Sequence, residues 1–213
     1  MNTRFRLLFI TVGAILVAAV YTFPNWLPLI MPTEAEVEAE ILPGLNPAFI
    51  FQFQQLPLDQ QRAYQQLPNA AQAAAMANAA LSPSQSVPQA ERAMPEMAGP
   101  VVVAAGEFTR LDAIRWAQGE VTIFEDPDGS KILRFERFSV VNGPELRVKL
   151  SASAEPQTIA DVRLDDQDID LGNLQGTSGE QNYEIPANLD LEPYQSIVIV
   201  SEELGVIYSI API

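Results

Sequence analysis

Residues 132–151 read Ile132-Leu133-Arg134-Phe135-Glu136-Arg137-Phe138-Ser139-Val140-Val141, then Asn142-Gly143-Pro144, then Glu145-Leu146-Arg147-Val148-Lys149-Leu150-Ser151. Apolar and charged residues alternate on both sides of the break. A period of two is that of a half-buried β-strand, and Asn-Gly-Pro is a sequence that interrupts one. With Leu133, Phe135, Leu146, Val148 and Leu150 facing a core, Arg134, Arg137, Arg147 and Lys149 face outward. In an acidic chain these cations pair with carboxylates on neighbouring strands.

Working outward, the same chemistry recurs. Val101-Val102-Val103 opens a strand, and Gly119 to Phe124 alternates as another. Asp126-Pro127-Asp128-Gly129 is a turn in which Pro presets φ and Gly accepts a positive φ. Thr158 to Leu164 reads as a short strand, and Ser196 to Val200 and Val206 to Ile210 close the chain as two more. Gly172, Gly176 and Gly179 punctuate a loop that ends in Tyr183-Glu184-Ile185-Pro186. Short strands with turn signals and no convincing helix predict an all-β fold over residues 101–213, an antiparallel β-sandwich or barrel.

Upstream the composition changes twice. Arg4 and Arg6 precede an uncharged run that lasts to Glu34, with its most apolar part from Leu7 to Phe23. Residues 1–31 therefore read as a transmembrane helix acting as a signal anchor, with Tyr21 and Trp26 at the far interface. A cleaved signal peptide ending near Val17-Ala18-Ala19 is the other reading, but the apolar run continues past it without a polar segment. Either way the two arginines stay in the cytoplasm and the bulk of the chain crosses. Residues 32–100 read as a stalk and linker rich in Pro, Ala and Gln. It contains a short helix near Thr33 to Glu40, a helix over Gln60–Leu67 and another over Ala70–Leu81 capped by Asn69. The last is too short and too weakly amphipathic to bury much. Phe49, Phe51, Phe53, Leu56 and Leu58 form an apolar cluster in need of a partner. Ser82 to Pro100, with four prolines and no periodicity, reads as linker.

The net charge is −15, and Gly106 onward holds 20 acidic against 8 basic residues, a balance of −12. A surface of that sign repels nucleic acid. Cysteine and histidine are absent from the sequence. That excludes disulfides, thiolate chemistry, Cys/His zinc sites and the commonest general base. Asp161, Asp165, Asp166, Asp168 and Asp170 form the densest acidic cluster; a solvated loop is the plain reading and a calcium site the alternative. Nothing distinguishes Glu136 or Glu145 from surface charges. No catalytic, cofactor-binding or metal-ligating residue is assigned, and no cofactor is implied.

Several pieces together resemble a known family, the electron-transfer DM-thirteen domain, an extracytoplasmic β module. They are Gly106 with Phe108, Gly119-Glu120-Val121, Leu133-Arg134-Phe135 with Phe138, and Asn142-Gly143-Pro144-Glu145-Leu146-Arg147-Val148. They continue with Leu171-Gly172-Asn173-Leu174-Gln175-Gly176, Gly179-Glu180-Gln181-Asn182-Tyr183-Glu184-Ile185-Pro186 and Ser196 to Ile213. The resemblance implies the fold and an extracytoplasmic place. The family's suggested redox role leans on a cysteine in the penultimate strand, and at the matching positions this chain has Val200, Ser201 and Leu204. A hydroxyl cannot cycle between thiol and disulfide.

The expectation is a single-pass membrane protein with its C-terminal domain outside the cytoplasm. It is a non-catalytic module that binds or organises a protein partner and no nucleic acid. An accessory role in an extracytoplasmic electron-transfer system, or a calcium-stabilised adhesive domain, are the alternatives.

Overall fold

The structure is a computed structural model and describes residues 41–163 and 167–213. The expected anchor (1–31) and the helix near Thr33 to Glu40 lie outside the described residues, as do Leu164, Asp165 and Asp166. Among the described residues no helix is long and apolar enough to cross a membrane.

In the described residues eight strands form two four-stranded antiparallel sheets, so the all-β expectation resolves to a sandwich. The strands are β1 (Val101–Glu107), β2 (Ala117–Glu125), β3 (Lys131–Val140), β4 (Leu146–Ser151), β5 (Ile169–Asn173), β6 (Gln181–Ile185), β7 (Ser196–Ser201) and β8 (Val206–Pro212). One sheet runs β1-β2-β3-β6 and the other β5-β4-β7-β8. The two strands of residues 132–151 therefore do not pair with each other. Asn142-Gly143-Pro144 carries the chain from one sheet to the other.

The pattern of β3 needs a bulge to make sense. Leu133 and Phe135 face the core on strict alternation, but Phe138 is buried as well. Arg137 adopts φ 49° and Gly119, across on β2, adopts φ 119°. The register shifts between Gln118 and Glu120. The extra residue reverses the phase of the strand and turns Phe138 inward. There it packs with Phe108 at 5.3 Å and Phe135 at 5.0 Å. Residue 119 must be glycine, because a Cβ there would stand 2.7 Å from the Glu136 carbonyl oxygen.

β7 shows no polar alternation because both its faces are covered. Ile197 and Ile199 lie between the sheets, while Val198 and Val200 join Ile207, Ile210 and Val162 in a second cluster outside them. Val162 belongs to a helical turn, Ile159–Val162, where the sequence predicts a strand. The reason is local. Thr158 and Asp161 form a reciprocal capping box, with Thr158 N–H donating to the Asp161 carboxylate at 2.8 Å. That nucleates a turn of helix in a stretch whose apolar spacing also fits a strand. The sequence reading also leaves β5 and β6 inside a loop.

The segment upstream of β1 folds onto the sandwich. It forms α1 (Ile50–Gln54), α2 (Leu58–Gln65) and α3 (Ala70–Leu81), so the turn Ile159–Val162 is α4. Asn69 caps α3 as its sequence predicts, accepting from Gln72 N–H. Against expectation α3 buries a full face, Ala73, Ala74, Met76 and Ala77. Alanine makes this possible: small side chains let the backbone come close, and Ala74 Cβ would lie 3.2 Å from a Cβ on Gly44. Leu42, Leu45, Phe53, Tyr64, Ala73, Met76 and Ala77 share one continuous core with both sheets. Gln72 Nε2 donates to Leu204 O at 2.8 Å, fastening α3 to the β7–β8 turn.

Residues 82–100, expected as linker, form a strap bonded to the sheet. Val87 is fully buried. Arg134 donates to Arg92 O, and Asn182 to Ala93 O. The Asp126 carboxylate accepts from Ala98 and Gly99 N–H. Without periodicity such a strap leaves no sequence signal, since its bonds use backbone atoms.

Candidate functional site

A cleft of about 400 Å³ opens where the crossover meets the β5–β6 loop and the strap. It is lined from the crossover by Asn142, Gly143, Glu145, Leu146 and Arg147, and from the loop by Asn173, Leu174, Gln175, Gly176 and Thr177. Pro83 and Gln85 of the strap complete it.

Each wall is fixed by a specific set of bonds. Leu174 N–H donates to Leu146 O at 2.8 Å and ties loop to crossover. The loop rests on a buried polar pair: Tyr183 OH donates to Gln181 Oε1 at 2.6 Å, and Gln181 Nε2 donates to Gly176 O at 2.7 Å. Gln175 N–H reaches both Gln181 Oε1 and Tyr183 OH. Satisfied in this way, Gln181 is fully buried without penalty. The strap crosses tightly over the loop. Thr177 N–H donates to Gln85 O at 2.6 Å, and a Cβ on Gly176 would stand 2.9 Å from that same oxygen.

Arg147 is the cation of the cleft, and it is engaged. Its Nε donates to Asp170 at 2.7 Å and Nη1 to Asn173 Oδ1 at 2.6 Å. The bond to Asp170 outweighs partial burial and raises the guanidinium's pKa further. Asp170 is held below the usual carboxylate range; its burial opposes this, and the bonds from Arg147 and Gly172 N–H prevail. What remains to meet a ligand is amide, hydroxyl and backbone, with the Glu145 carboxylate at the rim. Such a lining recognises a hydrogen-bonding ligand by shape and donor–acceptor pattern, and it supplies no nucleophile with an adjacent base.

The outward cations do pair with carboxylates, although strict alternation with Leu133 and Phe135 would turn Arg137 inward and it is the bulge that brings it out. Arg137 pairs with Glu120 across β2–β3, and Arg147 with Asp170 across β4–β5. Lys149 bonds Asp168 at 2.7 Å and also pairs with Glu202, which Arg163 shares at 2.8 Å. Arg134 differs, pairing with Glu136 on its own strand and with Asn182. These contacts also disperse the acidic cluster. Asp161 caps α4, Asp168 holds Lys149 and Asp170 holds Arg147. Among the described residues no group of three carboxylates could hold a metal ion.

Ser201 ends β7, in register with Leu146 on one side and Val206 on the other. It is fully buried, and its hydroxyl accepts from Leu204 N–H at 3.4 Å. Of the cleft residues, Gln85 and Thr177 carry no sequence signal. Asn173, Gln175 and Gly176 stand in a glycine-punctuated loop whose role appears only once β5 and β6 are placed.

Fold and site define a two-sheet β module with an amide-lined cleft. A family model described as electron transfer DM13 matches residues 107–213, and the chain belongs to that family. The match begins at the last residue of β1, so α1, α2, α3 and the strap lie outside it, while α4 lies within it. The family suggests a role related to electron transfer. No curated protein and no solved structure matches the chain.

Proposed function

We propose that the protein is a membrane-anchored, extracytoplasmic module that binds a protein partner through the cleft and performs no catalysis of its own. The observation that carries this reading is convergence. The segments Asn142–Arg147 and Asn173–Gly176, which carry much of the resemblance to the family, form most of one cleft. An ordered polar concavity that bonds fix in place, lacking paired catalytic groups, is suited to recognition. The anchor follows from the apolar run Leu7 to Met31 behind two arginines, and the outside location from that charge asymmetry.

The test uses the intact protein purified from membranes with its bound partners. Gln85 is exposed at the cleft lip, and its backbone oxygen, not its side chain, holds Thr177. Gln85→Trp should fill the cleft and leave the fold intact. Loss of a partner that wild type retains, at unchanged melting temperature, supports the reading. Equal retention by both overturns it.

A second reading, an accessory role in electron transfer, has the family match behind it. Ser201 sits where the family places its cysteine, so such a role would draw on a redox centre held by the partner. Redox titration of the isolated complex separates the two: a redox-active partner is required by this reading alone.

A further inference from the structure

The described surface has a gap in its charge. Residues 41–58 contain no Asp, Glu, Lys or Arg, in a chain of net charge −15. Within that stretch the core takes Leu42, Leu45 and Phe53. Phe51 on α1 and Leu58 at the start of α2 are left 69% and 66% exposed. The α1–α2 corner that carries them is rigid, because Gln61 Nε2 donates to both Gln54 O and Leu56 O. Two large apolar side chains on a fixed corner, where charge begins only beyond Leu58 with Asp59 and Arg62, are costly in water.

The occupant follows from where this corner sits along the chain. The apolar run ends at Met31, ten residues before Ile41. Counted from Trp26 at the far interface, the fifteen residues to Ile41 span at most roughly 50 Å when fully extended, so the folded domain stays tethered within reach of the bilayer if the apolar run spans it. We infer that the α1–α2 corner docks on the lipid surface, with Phe51 and Leu58 entering the interface. This rests on the membrane-anchored reading above. The four glutamates at 34, 36, 38 and 40 lie between the two and repel anionic headgroups. The surface preferred is therefore zwitterionic, and docking is apolar rather than electrostatic in origin. It fixes the orientation of the sandwich instead of leaving it on a loose tether.

The chain has no cysteine, so each introduced thiol is unique. Full-length Phe51→Cys, Leu58→Cys and Glu155→Cys are each labelled with an environment-sensitive fluorophore and reconstituted into phosphatidylcholine vesicles. Glu155 is the exposed reference, beyond the Ser151 end of β4 and away from the β7–β8 turn that α3 touches. Labels at 51 and 58 should be quenched by nitroxide on the lipid chains and bleached by an aqueous reductant at least fivefold more slowly than the label at 155. Adding Leu58→Glu should restore fast bleaching at 51, and a fraction of anionic lipid should weaken the protection. Protection without quenching by the lipid nitroxide would assign the corner to a protein contact and overturn the proposal. Bleaching equal to that at 155, in a chain that still floats with the vesicles, overturns docking alone. A chain that does not float overturns the anchor and the docking together.

Discussion

Gly143 lies against the ring of Tyr208, so closely that a Cβ on residue 143 would stand 2.6 Å from Tyr208 Cζ and 2.7 Å from the hydroxyl oxygen. Tyr208 reaches this position through a bulge in β8. Ile199 pairs with Ser209 and Val200 with Ile207, which leaves Tyr208 as the extra residue, turned inward. The crossover between the sheets thus passes over the one ring that the bulge re-aims. The contact explains why the Asn142-Gly143-Pro144 break requires glycine, although residue 143 has no positive φ. Gly143→Ala should cost about 1–3 kcal/mol through overpacking, read as a lower denaturant midpoint at unchanged slope.

The same ring carries a buried hydroxyl with no hydrogen-bond partner among the described residues. Burial, with the nearby Tyr64 adding to it and Arg115 opposing, pushes its pKa far up, so it stays neutral. Removing an unsatisfied buried polar atom relieves a desolvation cost. Tyr208→Phe should therefore leave stability unchanged or raise it by up to about 1 kcal/mol. A loss in the melting experiment would show that the hydroxyl has a partner after all.

Phe53 is fully buried beside Tyr64, with ring centroids 5.9 Å apart, in the core shared by helices and sheets. Phe53→Ala should cost about 3–5 kcal/mol. Because the core is continuous, the loss should lower one cooperative transition. Helical circular dichroism and the near-ultraviolet signal of the aromatic core should melt together. Two separated transitions would mean that residues 41–81 are an independent appendage.

How far the sequence discloses this architecture depends on where each bond is made. The alternation in Leu133, Phe135, Leu146, Val148 and Leu150 survives into the structure because side-chain periodicity is what a half-buried strand dictates. β6 is missed because Gln181 and Tyr183 are buried polar residues that satisfy each other, so a core face looks like a loop. The helical layer reads as stalk because the buried Ala73, Ala74 and Ala77 are the same residue type as the exposed Ala70 and Ala71. One face of α3 is therefore hardly distinguishable from the other along the chain, yet the smallness of alanine is what lets α3 approach. The cleft is least legible of all. Its strap wall is held by Gln85 O, a backbone atom that every residue type possesses.

Lys149 is buried on β4 and held by two carboxylates. Burial lowers its pKa, but the bonds to Asp168 and Glu202 outweigh this and leave it raised. On the other side, bonds from Lys149 and then Arg163 lower the Glu202 pKa from 4.5 to about 2. A folded-state pKa below the unfolded one contributes stability above the unfolded value and loses it as protons bind to the folded form. The contribution of Glu202 is therefore complete above pH 4.5 and disappears as pH falls toward 2. Asp170, also lowered, acts in the same direction. The melting temperature should fall across that window, and Glu202→Gln should flatten the fall. Lys149→Met should cost about 2 kcal/mol at neutral pH, below the value for a fully buried pair because the carboxylates are partly in water.

Ser201 stands where the resemblance to the family implies a cysteine, and its surroundings make that implication testable. The residue is fully buried at the end of β7 and bonded to Leu204 N–H. The carbonyl of Leu204 in turn accepts from Gln72 of α3. A segment outside the family match thus fastens the turn that covers this position. Ser201→Cys restores the sulfur with a change in shape small enough to cost less than about 1.5 kcal/mol. Burial in apolar surroundings raises a thiol's pKa and denies it to reagents. The new thiol should therefore react with a maleimide only at the rate of global unfolding. Adding Gln72→Ala should speed its labelling several-fold by loosening the turn, with little change in overall stability. Complete labelling of folded Ser201→Cys within seconds would mean that the position opens readily. In that case the turn, rather than the missing sulfur alone, would have to be reconsidered as a functional element.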